Sequence, residues 1–214
     1  MEYKKILSYL GIPYEVYRIK SKYNGNITVV SIFGQNSISV GSLTQTGPIV
    51  EGLWKTAVKR IRHQESDIKK ILVLGVGGGS IIKVLRNKYP KAAITGIEID
   101  KEMVNIGRKY FNLNIYNANI KIQDAFTFVK IDKVKYDLIF IDLLIGRDSP
   151  KKLSSEEFFQ NCKKLLNKKG TIIINRLRLK GSKNNNLVLS ILRKTYTNIE
   201  VKRPLVNELV YCRN

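Results

Sequence analysis

The spacing of hydrophobic positions changes twice along the chain. Between residues 14 and 40, short runs of β-branched and aromatic residues are broken by turn signals at Asn24-Gly25-Asn26 and Gly34-Gln35-Asn36. That pattern predicts three short antiparallel strands, at 15–20, 27–33 and 37–40. A Gly/Thr-rich stretch then leads into residues 51–63, where Leu53, Trp54, Ala57, Val58 and Ile61 recur at helical spacing. From residue 68 the rhythm becomes strand, glycine loop, helix, strand, with strands predicted at 71–74, 93–99, 120–123, 138–141 and 171–175. Helices fall between them at 80–88, at 101–111, and from the Ser154-Ser155-Glu156-Glu157 cap signal to residue 166. This alternation predicts an α/β domain built on a mostly parallel, doubly wound sheet. After a helix at 186–196, strands at 199–202 and 209–212 are too close for a helical crossover and are expected to pair antiparallel. Residues 1–66 thus read as a small β-rich segment with a linking helix, and 67–214 as the main domain.

Composition fits a soluble, core-forming chain: 43% of the 214 residues are hydrophobic and 26% charged. The 38 basic against 17 acidic side chains give a net charge of +21, which raises nucleic acid as a partner. The excess is greatest after residue 150, where Lys151-Lys152, Lys163-Lys164, Lys168-Lys169 and Arg193-Lys194 form spaced doublets. RNA bound through this basic C-terminal face is one reading of them. A compositional account competes, because Lys, Ile and Asn are all abundant here and all are served by A/T-rich codons. The two cysteines, Cys162 and Cys212, have neither metal-site nor disulfide-framework spacing. No apolar run approaches the ~18 residues of a membrane span or the pattern of a signal peptide, so a cytoplasmic protein without a membrane contact or a metal is expected.

Candidate chemistry gathers at the strand ends. Gly75-Val76-Gly77-Gly78-Gly79-Ser80 lies between a predicted strand and helix, where glycines let the backbone turn tightly and face a ligand with the helix N-terminus. Glu98 ends the next strand, where an acidic side chain accepts ribose hydroxyls in both nicotinamide and S-adenosylmethionine enzymes. Asp100 follows, equally placed to cap the helix from Lys101. Asp124, followed by Ala125, ends the third strand, where its carboxylate can meet an adenine amino group. Asp142 ends the fourth, beside the transferable group. His63, the single histidine, reads as a solvated helix-end residue, and Arg176, Arg178 and Lys180 as a charged loop near the cleft mouth.

Together, the segments 75–80, 97–104 with 108–111, 124–125 and 136–142 resemble the spermidine synthase-like branch of class I S-adenosylmethionine-dependent transferases. The resemblance spans roughly residues 40–180. It implies a Rossmann-like class I methyltransferase fold with S-adenosylmethionine, or its decarboxylated form, lying across Gly75, Gly77 and Gly79. Glu98 would hold the ribose and Asp124 would lie near the adenine, with Asp100, Ala125 and Gln45, the last ahead of the first helix, as further cofactor-binding residues. It further implies Asp142 as the catalytic residue, a small-molecule acceptor such as an amine, and a homodimer through the N-terminal strands. Two departures affect the reaction. Aminopropyltransferases of the family carry an aspartate where this chain has Gly78, and a second one where it has Ile145. Transfer of an aminopropyl group uses such carboxylates to bind cationic amines, so methyl transfer is narrowly favoured, with aminopropyl transfer the alternative. A nucleic-acid-binding or catalytically silent homologue is the reading from a different class.

Overall fold

A computed structural model of the chain describes residues 6, 8–61, 63, 65–144, 150–178, 184–204 and 206–214, with backbone only at 184–186. Its first third is a four-stranded antiparallel sheet, β1 (Tyr14–Ser21), β2 (Gly25–Ile32), β3 (Gln35–Val40) and β4 (Leu43–Thr46), in sequential order. Three of these strands match the sequence pattern. The fourth is only Leu-Thr-Gln-Thr and pairs with β3 through an irregular register. Helix α1 (Pro48–Lys59) starts at a proline, whose fixed φ suits the first helical turn. It buries Trp54, Ala57 and Val58.

The main sheet contains β5 (Lys70–Leu74), β6 (Ala93–Glu98), β7 (Asn119–Ile122), β8 (Tyr136–Ile141), β9 (Leu166–Leu177), β10 (Asn198–Lys202) and β11 (Asn207–Arg213). Its order is β10-β11-β9-β8-β5-β6-β7. Strands β5 to β9 pair parallel, whereas β11 runs antiparallel to both β9 and β10. The expected C-terminal antiparallel pair is therefore present, inserted so that β11 lies next to the parallel set. Helices α2 (Ser80–Lys88), α3 (Lys101–Tyr110), α4 (Ala125–Ile131), α5 (Glu156–Leu165) and α6 (Asn184–Thr195) cover the sheet.

The two faces of the sheet separate by the period of two along each strand. Ile71, Val73, Leu138, Phe140, Ile173 and Tyr211 join Trp54, Val58, Ile81 and Leu85 of α1 and α2 in one core. Trp54 meets Phe140 edge-on at 5.8 Å between ring centroids. Leu72, Leu74, Ile139, Ile141, Ile172, Ile174 and Val210 form the other core with Phe128, Phe159, Cys162 and Leu192 of α4, α5 and α6. A third, smaller core joins Ile27, Val29, Ile38 and Val40 of the N-terminal sheet to Met103 and Ile106 of α3. That contact fixes the small sheet over the C-terminal ends of β5 and β6. No helix of the described residues is long and apolar enough to cross a membrane.

Two local readings change. Arg176 is not in a charged loop: β9 continues to Leu177, and Arg176 is a buried strand residue whose guanidinium pairs with Glu208 of β11 at 3.1 Å. Arg203 approaches the other oxygen of Glu208 at 3.1 Å. His63 is not merely solvated, since its Nε2 lies 3.2 Å from Thr171 Oγ1. Ile145 and Lys180 fall outside the described residues.

Candidate functional site

The C-terminal ends of β5, β6, β8 and β9 open into a cleft of about 680 Å³, roofed by β4 and the first turns of α1. Ligands bind at such strand ends in open α/β sheets. Of the residues singled out from the sequence, Gln45, Gly75, Gly77, Glu98, Asp124, Ala125 and Asp142 line it.

Gly75 is required twice over. Its φ is +91°, and a Cβ there would sit 2.1 Å from the carbonyl oxygen of Asp142, so only glycine lets the loop after β5 pass against the end of β8. Gly79 does not line the cleft; it is the N-cap of α2 at φ +102°, and a Cβ on it would meet Leu113 at 2.6 Å, so its glycine serves the packing of the loop. Gly78 has an ordinary φ, but a Cβ there would lie 2.3 Å from Ile38 Cδ1 and 2.8 Å from Thr46 Oγ1. The N-terminal sheet thus presses on the position where the family's loop aspartate would stand.

Glu98 serves the loop as well as the cleft. Its Oε2 accepts from the N–H groups of Val76 and Gly77 at 3.0 and 2.9 Å, and its Oε1 from Asp100 N–H at 3.0 Å. Three of a carboxylate's roughly four lone-pair sites are thereby used, and the remaining one is on Oε1. Burial raises the Glu98 pKa above the ordinary carboxylate value, with the three N–H donors opposing the rise. The rest of the loop is also satisfied internally: Gly78 N–H donates to Thr46 Oγ1 at 2.9 Å and Gly79 N–H to the Val76 carbonyl at 3.1 Å.

Asp100 departs from its expected role. It does not line the cleft; Oδ1 caps α3 by accepting from Glu102 N–H at 3.0 Å, while Oδ2 accepts from the Ser21 hydroxyl and from Asn24 Nδ2. The residue ties the β1–β2 turn to the start of α3. Asp124 does both jobs, lining the cleft while its Oδ1 caps α4 by accepting from Thr127 N–H at 2.8 Å.

Asp142 follows β8 directly. Its N–H donates to the Leu74 carbonyl at 2.8 Å, and its Oδ1 accepts from Asn175 Nδ2 at 2.8 Å. Burial pushes its carboxyl up to about 6; Asn175 opposes that rise and the charge of Glu98 adds to it. Asn175 Oδ1 in turn accepts from Asn207 Nδ2 at 2.9 Å. Asn175 and Asn207 both line the cleft and did not stand out from the sequence. In sequence, Asn175 follows the apolar run Ile172-Ile173-Ile174 just as Asp142 follows that of β8, which is the signal that locates it, although β9 itself continues to Leu177. Asn207 carries no local signal, because its place depends on the antiparallel register of β11 against β9.

The remaining walls are mostly apolar, from Leu43, Leu53, Ile97, Phe126, Leu177 and Val206 among others, with Asn24, Thr44, Thr56 and Ser80 between them. No Lys or Arg lines the cleft among the described residues, in a chain whose net charge is +21. Nor does any cluster of His, Cys, Asp and Glu among them have the makings of a metal site.

Known proteins share this architecture. A polyamine aminopropyltransferase from Vibrio vulnificus is 32% identical over 111 residues, covering 50% of this chain and 37% of that protein. An eEF1A lysine and N-terminal methyltransferase homolog from Drosophila melanogaster is 27% identical over 168 residues, covering 72% of this chain and 25% of that protein. The chain therefore spans well under half the length of either relative. In three dimensions, a probable spermidine synthase from Corynebacterium glutamicum superposes with a TM-score of 0.77 at 17% identity, over 92% of this chain and 79% of that one. The sequence profile of the spermine/spermidine synthase domain matches residues 58–205, and with its sheet order and glycine loop the chain belongs to that family.

Proposed function

We propose that the chain transfers an aminopropyl group from decarboxylated S-adenosylmethionine to the amine of a small cationic acceptor. The observation that carries this reading is the charge of the cleft: Glu98, Asp124 and Asp142 line it and no Lys or Arg does among the described residues. Such a lining attracts a sulfonium and an ammonium, and it offers no cationic partner to the α-carboxylate of the intact cofactor. The loop N–H groups that could replace such a partner already donate to Glu98, Thr46 and Val76. The aminopropyltransferase relative agrees with this choice, so the narrow preference for methyl transfer drawn from Gly78 and Ile145 gives way to the alternative.

The residues present fit such a cofactor. Oε1 of Glu98 retains acceptor capacity for a ribose hydroxyl, Asp124, the buried Ala125 and Phe126 line the cleft where an adenine would lie, and Gly75 and Gly77 keep the floor free of side chains. When bound, the sulfonium supplies an activated alkyl carbon and leaves as a thioether. Asp142 would hold the acceptor ammonium, take its proton and free the nitrogen lone pair for in-line attack. A carboxyl near 6 is a better base at neutral pH than an ordinary aspartate. The apolar walls exclude water and strengthen each of these charge contacts.

Methyl transfer is the second reading, favoured by the closure of the Gly78 position by Ile38 and Thr46. Calorimetric titration with the two cofactor forms separates them. Binding of the decarboxylated form at least tenfold tighter, with turnover of an alkylamine lost in Asp142→Asn, is the expected result. Preference for the intact cofactor overturns the proposal.

A further inference from the structure

We infer that Asn207 is a positioning residue: by donating to Asn175 Oδ1 it holds the Asn175 amide with its N–H toward Asp142, and so keeps Asp142 presented as a carboxylate to the cleft. The inference rests on the reading of Asp142 as the group that meets the amine, and it adds a residue from β11, the strand that runs antiparallel beside the parallel set whose ends carry Glu98 and Asp142.

The direction of the chain of hydrogen bonds follows from chemistry. An ionised Asp142 only accepts, so Asn175 must offer Nδ2 to it, at 2.8 Å. That leaves Asn175 Oδ1 facing β11, where only a donor satisfies it, and Asn207 supplies Nδ2 at 2.9 Å. An amide can turn end for end at little intrinsic cost. Were Asn175 to turn, its oxygen would face the Asp142 oxygen, a contact that a proton on Asp142 relieves.

Asn207 is itself firmly placed. Its N–H donates to the Pro204 carbonyl at 2.9 Å, and it stands opposite Leu177 in the β9–β11 ladder. The next pair in that ladder is Arg176 opposite Glu208. Their buried ion pair, extended by Arg203, clamps the base of the hairpin. By strand alternation this clamp lies on the other face of the sheet, leaving Asn175 and Asn207 facing the cleft. Among the described residues, the charged groups that share the cleft with Asp142 are Glu98 from the end of β6 and Asp124 from the start of α4. Both are anionic, so the amide of Asn175 is what opposes protonation.

Two variants test this, Asn207→Asp and Asn207→Leu, with the Asp142 carboxyl followed by carbon NMR as pH is varied and alkylamine turnover followed over the same range. An aspartate at 207 accepts from Asn175 Nδ2 and turns the amide, so the Asp142 midpoint rises by about one pH unit or more. Leucine releases the amide and raises the midpoint less. Midpoints within 0.2 unit of the parent in both variants overturn the inference, and if one variant fails to fold the other decides alone. A midpoint that moves while the acid limb of turnover does not would uphold the positioning role and instead remove Asp142 from the reaction.

Discussion

Burial beside Glu98 holds the Asp142 carboxyl at about 6, against an ordinary 3.8, so the folded chain binds that proton more tightly than the unfolded chain does. The stability linked to this proton is fully present below pH 3.8 and is lost as pH rises through 6. At about 1.4 kcal/mol per pH unit, the ionised Asp142 costs the fold on the order of 2–3 kcal/mol near neutrality. Asp142→Asn keeps an acceptor for Asn175 and removes the charge. Urea unfolding at pH 8 is expected to show the variant more stable than the parent by roughly that amount, with the gap closing by pH 4; a variant less stable at pH 8 would contradict this account. The strand-end rule was enough to find Asp142, Glu98 and Asp124 in the sequence. It could not reveal that Glu98 also staples the glycine loop, 21 and 22 residues back, nor that Asp100, besides the cap on Glu102 that its position allows, meets Ser21 and Asn24, because those two lie 79 and 76 residues away.

Elements whose pattern matches their environment were legible, and those shaped by distant pairing were not. The helix at Ser80–Lys88 and the apolar core of β8 follow from local sequence alone. Helix α4 has seven residues, Ala-Phe-Thr-Phe-Val-Lys-Ile, too β-branched to declare itself beyond its Asp124 cap. Strand β9 begins at Leu166, through the polar Asn-Lys-Lys-Gly, because Tyr136 of β8 pairs with that residue. The antiparallel β11 faces β9 across the buried Arg176–Glu208 pair, whose side chains are 3% and 8% exposed, and neither member signals its partner in the sequence. Glu208→Gln removes the negative charge that Arg176 and Arg203 both face and is expected to destabilise the chain by about 3 kcal/mol in urea unfolding. Replacing both members by Met and Leu should restore most of that loss; a single variant as stable as the parent would mean that the pair does not clamp the hairpin.

For the molecule as a whole, charge is segregated by distance. A cation approaching from solvent meets a body of net charge +21, and inside the cleft it meets carboxylates with no Lys or Arg beside them in the lining among the described residues. Added salt screens the long-range repulsion first, since the screening length is about 10 Å at 0.1 M and contacts within the cleft are shorter. The second-order rate of binding of a cationic amine, measured by stopped-flow, is therefore expected to rise several-fold between about 10 and 150 mM salt. A monotonic fall would show that the cleft's own field reaches far into solvent.

The pressure of Ile38 and Thr46 on Gly78 also constrains change there. A Cβ at position 78 would lie 2.3 Å from Ile38 Cδ1 and 2.8 Å from Thr46 Oγ1, so a loop carboxylate enters this cleft only where those two side chains give way. The small sheet, remote from the glycine loop in sequence, thereby filters what the loop can carry.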